Sequence, residues 1–458
     1  MASADLLTSP QEKALRRKLC LMMFLQIFIW GAWFELGFDY IPSLGFESWQ
    51  NTLIFGAFNI GALVALFFST QFADRKFSAE KFLAVSHLIG GAAILGLFFL
   101  HPGPGEKAEF LPFFLLMLLH SIFYVPTISI TNSIAFANLK DPAREFGPVR
   151  VWGTIGWIVA SWPFIFILVD WQKVPSMGDV GFSQWLESVL GTSKKGAEAY
   201  AAERYIFLVA GLASFVLAAI SPFLPHTPPK PVAAGEDSLA WVKAAKLLKH
   251  PFVAVLFLVT FIDAAVHQSF FYWTASFLKS DEVGIPANWV TPVMKIGQIA
   301  EILTMLILGY VLKTLGWRMT MIFGILGHSA RFAVFAFYPH EVAAILINAL
   351  HGICYAFFFA TVYIFVDEFF PKDVRSSAQG LFNVLILGLA PFAANVACGE
   401  LGTIYTVGGK LHYSIIFIYS MSAGLLAALI LLLFFHPPKS KLPDVSLSTA
   451  EEDAPPVA

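Results

Sequence analysis

The chain has 458 residues, of which 57% are hydrophobic and only 13% are charged. A chain of this composition cannot be a soluble globular protein and is typical of a protein with many transmembrane segments. The formal net charge is −2, which argues against nucleic acid as a partner. The predicted environment is therefore the lipid bilayer.

The sequence carries no sign of catalytic or metal chemistry. It contains no nucleophile elbow, phosphate-binding glycine loop or metal-ligand spacing. Cys20, Cys354 and Cys398 lie in or beside apolar segments, and we interpret them as small core residues. We therefore expect no enzyme activity, no cofactor and no metal. Polar residues are spread over both halves of the chain, which favours a transport path over a catalytic site.

Twelve apolar segments of roughly 20 residues, the length that spans a bilayer, follow one another along the chain. Lys and Arg cluster before the first segment, in alternate loops and after the last one. Because basic residues mark cytoplasmic loops, we predict that both termini are cytoplasmic. The segments are 19–40, 52–72, 82–100, 110–137, 149–169, 205–224, 252–278, 291–312, 319–337, 342–366, 376–398 and 413–435.

A stretch rich in Pro, Gly and charge, 225–250, separates two sets of six segments. We predict an N-terminal bundle at 1–224, a cytoplasmic linker at 225–250, a C-terminal bundle at 251–436 and a disordered tail at 437–458. The expected fold is an all-α membrane protein with twelve transmembrane helices. They form two six-helix bundles with pseudo-two-fold symmetry, the major facilitator fold.

Matching charged loops in the two halves are predicted to act in gating. Residues 73–76 and 313–318 occupy equivalent places, as do 141–144 and 372–375. Charge contacts at such loops can hold one side of a transporter closed. The gating candidates are Asp74, Arg75, Arg318 and Arg375.

A carboxylate inside segment 291–312 is the strongest functional signal. At about 1.5 Å rise per residue, Glu301 lies roughly 15 Å inside, near the membrane midplane. A charge at that depth costs several kcal/mol and marks a functional site by default. Gln298 lies on the same helix face, so both side chains can approach one ligand. A purely structural ion pair with Arg331 is the alternative.

Other polar residues share helix faces within predicted segments. Arg150, Thr154 and Trp157 are spaced i, i+4, i+7. Gly153 and Gly156 beside them equally suit close helix packing.

Two i, i+4 pairs carry histidine. Asp263 and His267 form either a proton relay or a pair whose side chains only hydrogen-bond to each other, and both interpretations stay open. His351 and Tyr355 form the second pair, followed by several Phe residues.

The first segment and three isolated histidines allow further interpretations. Segment 19–40 carries Gln26, Glu35 and Asp39, with Trp30 and Trp33 as cavity residues or interface anchors. Isolated histidines inside apolar segments are more often hydrogen-bonded core residues than ligands. They are His87, His120 and His328.

Short motifs along essentially the whole chain match the pattern of one family. They include Trp30-Gly31-Ala32-Trp33, Tyr124-Val125-Pro126-Thr127, Arg150-Val151-Trp152-Gly153-Thr154-Ile155-Gly156, Gln298-Ile299-Ala300-Glu301, Arg331-Phe332-Ala333 and Arg375-Ser376-Ser377-Ala378-Gln379-Gly380. With these motifs together, the chain resembles the bacterial nucleoside–proton symporters of the major facilitator superfamily.

The resemblance implies a substrate site built from the fifth, seventh, eighth and tenth segments, between the halves. Substrate contacts are implied for Arg150, Thr154, Gln268, Gln298 and Glu301. The chain departs from the family pattern where a base would bind, because Trp157 replaces Phe and Phe271 replaces Asn. His351 and Tyr355 likewise replace Tyr and Phe.

The implied function is proton-coupled import of nucleosides across the bacterial inner membrane, by a monomer. Candidates for proton coupling are Glu301, Asp263 and His351. A sugar or glycoside needs a similar set of polar and aromatic groups, so it is the alternative substrate. A sensor that retains the fold without transport is the alternative from another functional class.

Overall fold

The computed structural model describes residues 9–68, 77–103, 105–229, 245–371 and 375–438. Asp74 and Arg75, most of the predicted linker and nearly all of the predicted tail lie outside these ranges. The first part of the described chain consists of helices α1 (Pro10–Ser43), α2 (Ser48–Phe68), α3 (Ala79–Phe98), α4 (Phe110–Asn138), α5 (Pro142–Val159), α6 (Trp162–Ile167), α7 (Met177–Val180), α8 (Phe182–Gly191), α9 (Gly196–Glu203) and α10 (Tyr205–Ile220).

The second part contains longer helices and two π-helical turns. Short 3₁₀ turns lie at Ser221–Phe223 and Leu247–Lys249. The remaining elements are α11 (Pro251–Lys279), α12 (Ala287–Phe337), α13 (Glu341–Ile347), α14 (Leu350–Cys354), a π-helical turn (Tyr355–Ala360), α15 (Thr361–Phe369), α16 (Arg375–Asn383), a second π-helical turn (Val384–Leu389), α17 (Ala390–Ile404), the paired strands β1 (Thr406–Val407) and β2 (Lys410–Leu411), and α18 (Tyr413–Phe434).

Ten helices in the described part are long and apolar enough to cross a membrane. One of them, α12, has 51 residues and contains two of the predicted segments. Helix α2 overlaps the second predicted segment, 52–72, from 52 to 68, and the last four residues of that segment lie outside the described ranges. The structure is therefore consistent with twelve transmembrane helices.

Local sequence signals extend two helices beyond the apolar segments. At the start of α1, the Ser9 hydroxyl accepts from the Glu12 backbone at 3.3 Å, and the Glu12 carboxylate accepts from the Ser9 backbone at 2.9 Å. This capping box satisfies two amides that the helix leaves unpaired. Helix α5 begins at Pro142, a residue suited to the first turn, rather than at 149. Arg150 therefore lies two turns inside the helix.

Glycine allows α1 and α5 to pack backbone against backbone. A Cβ atom at position 156 would collide with the carbonyl oxygen of Phe24, and one at position 153 would lie 3.0 Å from Ile27. The helix-packing interpretation of these glycines is confirmed. The close approach fixes the position of the polar face on α5 relative to α1.

The contacts within the chain define two compact units. One comprises Met1–Pro231 with Phe271–Lys295, and the other comprises Val232–Phe270 with Ile296–Ala458. Helices α11 and α12 thus contribute residues to each unit. The unit boundaries differ from the predicted bundles because the segment from Phe271 to Lys295 packs with the N-terminal helices.

Helix α12 turns sharply at Gly316, whose φ of 72° and ψ of 172° are not helical. The predicted segments 291–312 and 319–337 lie on either side of this residue. An L-residue with a side chain rarely adopts positive φ, whereas glycine does so without a steric cost. Gly316 is therefore the joint that separates two membrane helices without a loop.

Replacing Gly316 with Ala should lower the stability of the protein by about 1 kcal/mol, because the new side chain strains a positive-φ backbone. Among the residues that the structure describes, none apart from its immediate chain neighbours comes within 4 Å of a Cβ atom at this position, so the effect is one of backbone conformation. Gly309→Ala is the matched control, since that helical position is equally open. Melting temperatures of the purified protein should fall for Gly316→Ala only. Equal melting temperatures for both variants would contradict the assignment.

Candidate functional site

A charged pair is buried among the helices of the first unit. The Lys295 ammonium lies 2.8 Å from Oε1 of Glu35, and the two side chains are 2% and 1% exposed. Glu35 belongs to α1 and Lys295 to the first half of α12, so the pair connects two helices that are far apart in sequence. The sequence singled out Glu35 but did not predict that it pairs with Lys295.

Trp157, the predicted stacking residue, lies against this ion pair. The Lys295 ammonium is 4.2 Å from the Trp157 ring centroid, a distance typical of a cation–π contact. Trp30 meets Trp157 edge to face at 5.3 Å, and Phe271 does so at 6.4 Å. The structure therefore brings together Trp157 and Phe271, two of the predicted substrate contacts.

Arg150 and Thr154 precede Trp157 on α5, and both are half-buried. A Cβ atom at position 153 would lie 2.6 Å from an Arg150 guanidinium nitrogen, so the Arg150 side chain folds over Gly153. Gly153 lies one turn closer to Trp157. The guanidinium therefore reaches further into the membrane-spanning part of the helix than the position of its Cα atom indicates.

The first unit also contains a lysine held by two carboxylates. The Lys279 ammonium lies 2.6 Å from Oε1 of Glu203, and it contacts the carboxylate of Asp39. It also lies 4.4 Å from the Tyr200 ring centroid. These contacts link α1, α9 and α11. Asp39 was singled out by the sequence, but its partners were not.

Several polar residues of the first unit are core residues. His87 bonds to Gln26 and to Ser214, each at 2.9 Å, and His120 bonds to the Gly90 carbonyl at 2.9 Å. The interpretation of these two histidines as hydrogen-bonded core is confirmed. Trp33 is only 2% exposed, so it is a buried residue rather than an interface anchor.

In the second unit, a fully buried arginine is held by two histidines. Arg331 donates to Nδ1 of His351 and to Nδ1 of His328, each at 3.0 Å. Its guanidinium carbon lies 3.7 Å from the Phe270 ring centroid. Because arginine is always a donor, each Nδ1 must be an acceptor, and a hydrogen on each neutral ring then lies on Nε2.

Asp263 faces this cluster from α11. Its Oδ2 lies 3.8 Å from Nε2 of His328, and both side chains are fully buried. His267, one turn away, stacks on His351 with ring centroids 5.0 Å apart. The structure therefore places Asp263, His267 and His351 in one cluster. The predicted i, i+4 pair is part of a larger network that also includes His328, which is a hydrogen-bonded core residue as expected.

Glu301 and Gln298 lie where α12 packs against α14. A Cβ atom at position 352 would collide with the backbone nitrogen of Glu301, and one at position 297 would lie 2.6 Å from Cβ of His351. Glycine at both positions therefore brings Glu301 and His351 onto adjoining helix surfaces. Gln298 is 5% exposed, and its amide oxygen has no hydrogen-bond partner in the described ranges.

The two remaining predicted contacts also belong to the second unit. Gln268 donates to Oδ1 of Asn395 at 2.9 Å, which fixes the amide orientation. Tyr355 begins the first π-helical turn, and its ring centroid lies 6.5 Å from that of His267. Its position beside the histidine cluster follows from the i, i+4 spacing with His351.

The predicted gating residues are only partly described. Arg375 donates to Oδ1 of Asp367 at 3.0 Å and to the Phe370 carbonyl at 3.4 Å. Arg318 is half-buried, two residues after the turn at Gly316. The gating role of all four residues stays a prediction.

Comparison with known proteins identifies the family. A family model described as "Nucleoside H+ symporter" matches residues 13–178 and 169–440. The putative nucleoside transporter YegT of Escherichia coli (strain K12) is 31% identical over 377 residues, which cover 81% of this chain and 80% of YegT. The xanthosine permease of the same organism is 24% identical over 430 residues, or 90% of this chain and 94% of the permease.

Solved structures share the fold. A crystal structure of the nucleoside transporter NupG superposes with a TM-score of 0.74 at 22% identity, covering 92% of this chain and 99% of that one. A crystal structure of a D-xylose-proton symporter gives a TM-score of 0.66 at 14% identity, covering 94% of this chain and 100% of that one. Because the family model matches nearly the whole sequence, this chain belongs to the nucleoside–proton symporters of the major facilitator superfamily.

Proposed function

We propose that this protein imports nucleosides together with protons across the bacterial inner membrane by alternating access, as a monomer with both termini in the cytoplasm. The observation that carries the proposal is the family match over residues 13–178 and 169–440. The likeness to a xylose–proton symporter is one of fold only, at 14% identity. It gives a sugar substrate no additional support.

Each unit contributes groups that suit a nucleoside, which combines a flat aromatic base with several hydroxyls. In the first unit these are Arg150, Thr154, Trp157 and Phe271. In the second unit, the buried amide oxygen of Gln298 lacks a hydrogen-bond partner in the described ranges and is available to a substrate donor. The other proposed contacts in that unit are Gln268, Glu301, His351 and Tyr355.

The proposed proton path lies in the second unit. Glu301 and His351 occupy adjoining helix surfaces, and His351 bonds to Arg331. Asp263 approaches the same arginine cluster through His328. A proton taken up by Glu301 would therefore act close to a network whose hydrogen bonds depend on neutral imidazoles. We propose Glu301 as the coupling residue, with Asp263 and His351 as further candidates.

Purified protein in liposomes should accumulate a labelled nucleoside when the outside is more acidic than the inside. The reason is that proton entry down its gradient drives uptake of the co-bound substrate. Unlabelled nucleosides should compete and free ribose should not. Competition by ribose alone would indicate a sugar transporter, and binding without any uptake would indicate a sensor.

Trp157→Ala should weaken nucleoside binding by about 1–3 kcal/mol, the usual loss when a base no longer stacks on an aromatic ring. Trp162→Ala is the matched control, since Trp162 is 56% exposed on α6. Calorimetric titration of both variants measures the difference. Unchanged affinity for Trp157→Ala would remove this residue from the site.

Glu301→Gln should abolish pH-driven accumulation while reducing binding and counterflow exchange much less. Glutamine keeps the shape of the protonated carboxyl but cannot release a proton. Glu341→Gln, an exposed position at the start of α13, is the control.

Continued accumulation by Glu301→Gln under an imposed proton gradient would transfer the coupling role to Asp263 or His351. Loss of all substrate binding would instead show that Glu301 is chiefly a ligand contact.

A further inference from the structure

The Trp157 ring has a cation over one of its faces. The Lys295 ammonium lies 4.2 Å from the ring centroid and is paired at 2.8 Å with Glu35. All three residues belong to one compact unit, on α5, α12 and α1. A base that stacks on this face of Trp157 therefore meets both charges.

The pair has unused hydrogen-bonding capacity. The Trp157 indole N–H lies close enough to the Glu35 carboxylate to interact with it. Oε2 of Glu35 nevertheless makes no hydrogen bond of good geometry to any residue in the described ranges, although the side chain is only 1% exposed. A carboxylate accepts several hydrogen bonds, and an ammonium donates three. Buried polar groups are normally satisfied, so this oxygen is available to a hydrogen-bond donor on a ligand.

The two charges together have no net charge, so a neutral ligand can bind without leaving either one uncompensated. Lysine has a flexible four-carbon stem. Its ammonium can therefore leave the ring face while it keeps Glu35 as a partner. The result is an aromatic surface with an acceptor and a set of donors side by side at its edge.

A 6-oxopurine base matches this arrangement. Its O6 accepts a hydrogen bond, as lysine commonly provides to guanine, and its N1–H donates to a carboxylate. Guanine adds a second donor, the 2-amino group, on the same edge. Adenine presents an amino donor and an N1 acceptor in the reverse order, so its N1 lone pair would face the carboxylate.

We propose that Glu35 and Lys295 read the base edge and select 6-oxopurine nucleosides, with guanosine bound most tightly. The proposal rests on the proposed function, because it names the preferred substrate of the same transporter. Trp157 supplies the stacking surface, which every base can use. Glu35 and Lys295 supply the discrimination between bases.

Binding of guanosine, inosine and adenosine to the purified full chain tests the proposal by calorimetry. The parent should bind guanosine at least about tenfold more tightly than adenosine, the usual effect of one well-placed pair of base-edge hydrogen bonds. Glu35→Gln/Lys295→Met removes both charges together, so no charge is left alone. Its guanosine preference should fall to within about twofold. Glu35→Gln alone should reduce the preference as well.

Exchange of the charges, Glu35→Lys/Lys295→Glu, separates recognition from a structural role. The exchanged variant keeps an ion pair, so a purely structural pair would retain the guanosine preference. A pair that reads the base should lose or reverse it. Glu12→Gln/Lys140→Met removes an ion pair at the start of α1, in which Lys140 is exposed and Glu12 half-buried, and glutamine can still cap the helix. This variant serves as the matched control, with unchanged selectivity expected.

Two results would overturn the inference while leaving nucleoside transport intact. One is equal affinity of the parent for guanosine and adenosine. The other is an unchanged guanosine preference in both Glu35→Gln and the double variant. A parent that binds no nucleoside at all would instead refute the proposed function itself.

Discussion

Charge buried in a membrane must be compensated, and this constraint shapes both units of the protein. Removal of one member of a buried ion pair typically costs about 3–5 kcal/mol, because the remaining charge has no partner. Glu35 therefore binds Lys295, and Lys279 lies between Asp39 and Glu203. Each pairing ties together helices that are distant in sequence. The apolar segments alone would leave the choice of neighbouring helices weakly specified, since lipid is as apolar as their side chains.

The two units compensate charge in chemically different ways. The first unit uses carboxylate and ammonium groups that attract each other directly. In the second unit, Arg331 is held by imidazole acceptors and by the face of Phe270, with Asp263 beyond His328. A proton added to Nδ1 of either histidine would remove an acceptor and place a second positive charge beside the guanidinium. One added proton therefore disrupts the hydrogen bonds of this cluster. The Glu35–Lys295 pair differs, because its acceptor is a charged carboxylate and not a neutral imidazole.

The sequence was sufficient to predict features that depend on the periodicity of residues along a helix or on their depth in the membrane. The spacing of Arg150, Thr154 and Trp157 correctly put them on one helix, and their order along α5 follows directly. Hydropathy misplaced the start of that helix, because its first two turns contain charged residues, proline and glycine, and Pro142 marks the beginning instead. The pairing of Glu35 with Lys295 was not predicted, since nothing local specifies which distant helix supplies a counter-charge. The division of α11 and α12 between the units is likewise a property of tertiary packing.

The π-helical turns at Tyr355–Ala360 and Val384–Leu389 have a consequence for motion. A π turn holds about one residue more than an α turn, which has 3.6 residues. Conversion of such a turn to α geometry would rotate the following helix by about 100° about its own axis. It would need rearrangement of only a few backbone hydrogen bonds. Such a conversion would turn α15 or α17 about its own axis without bending the helix or breaking the chain.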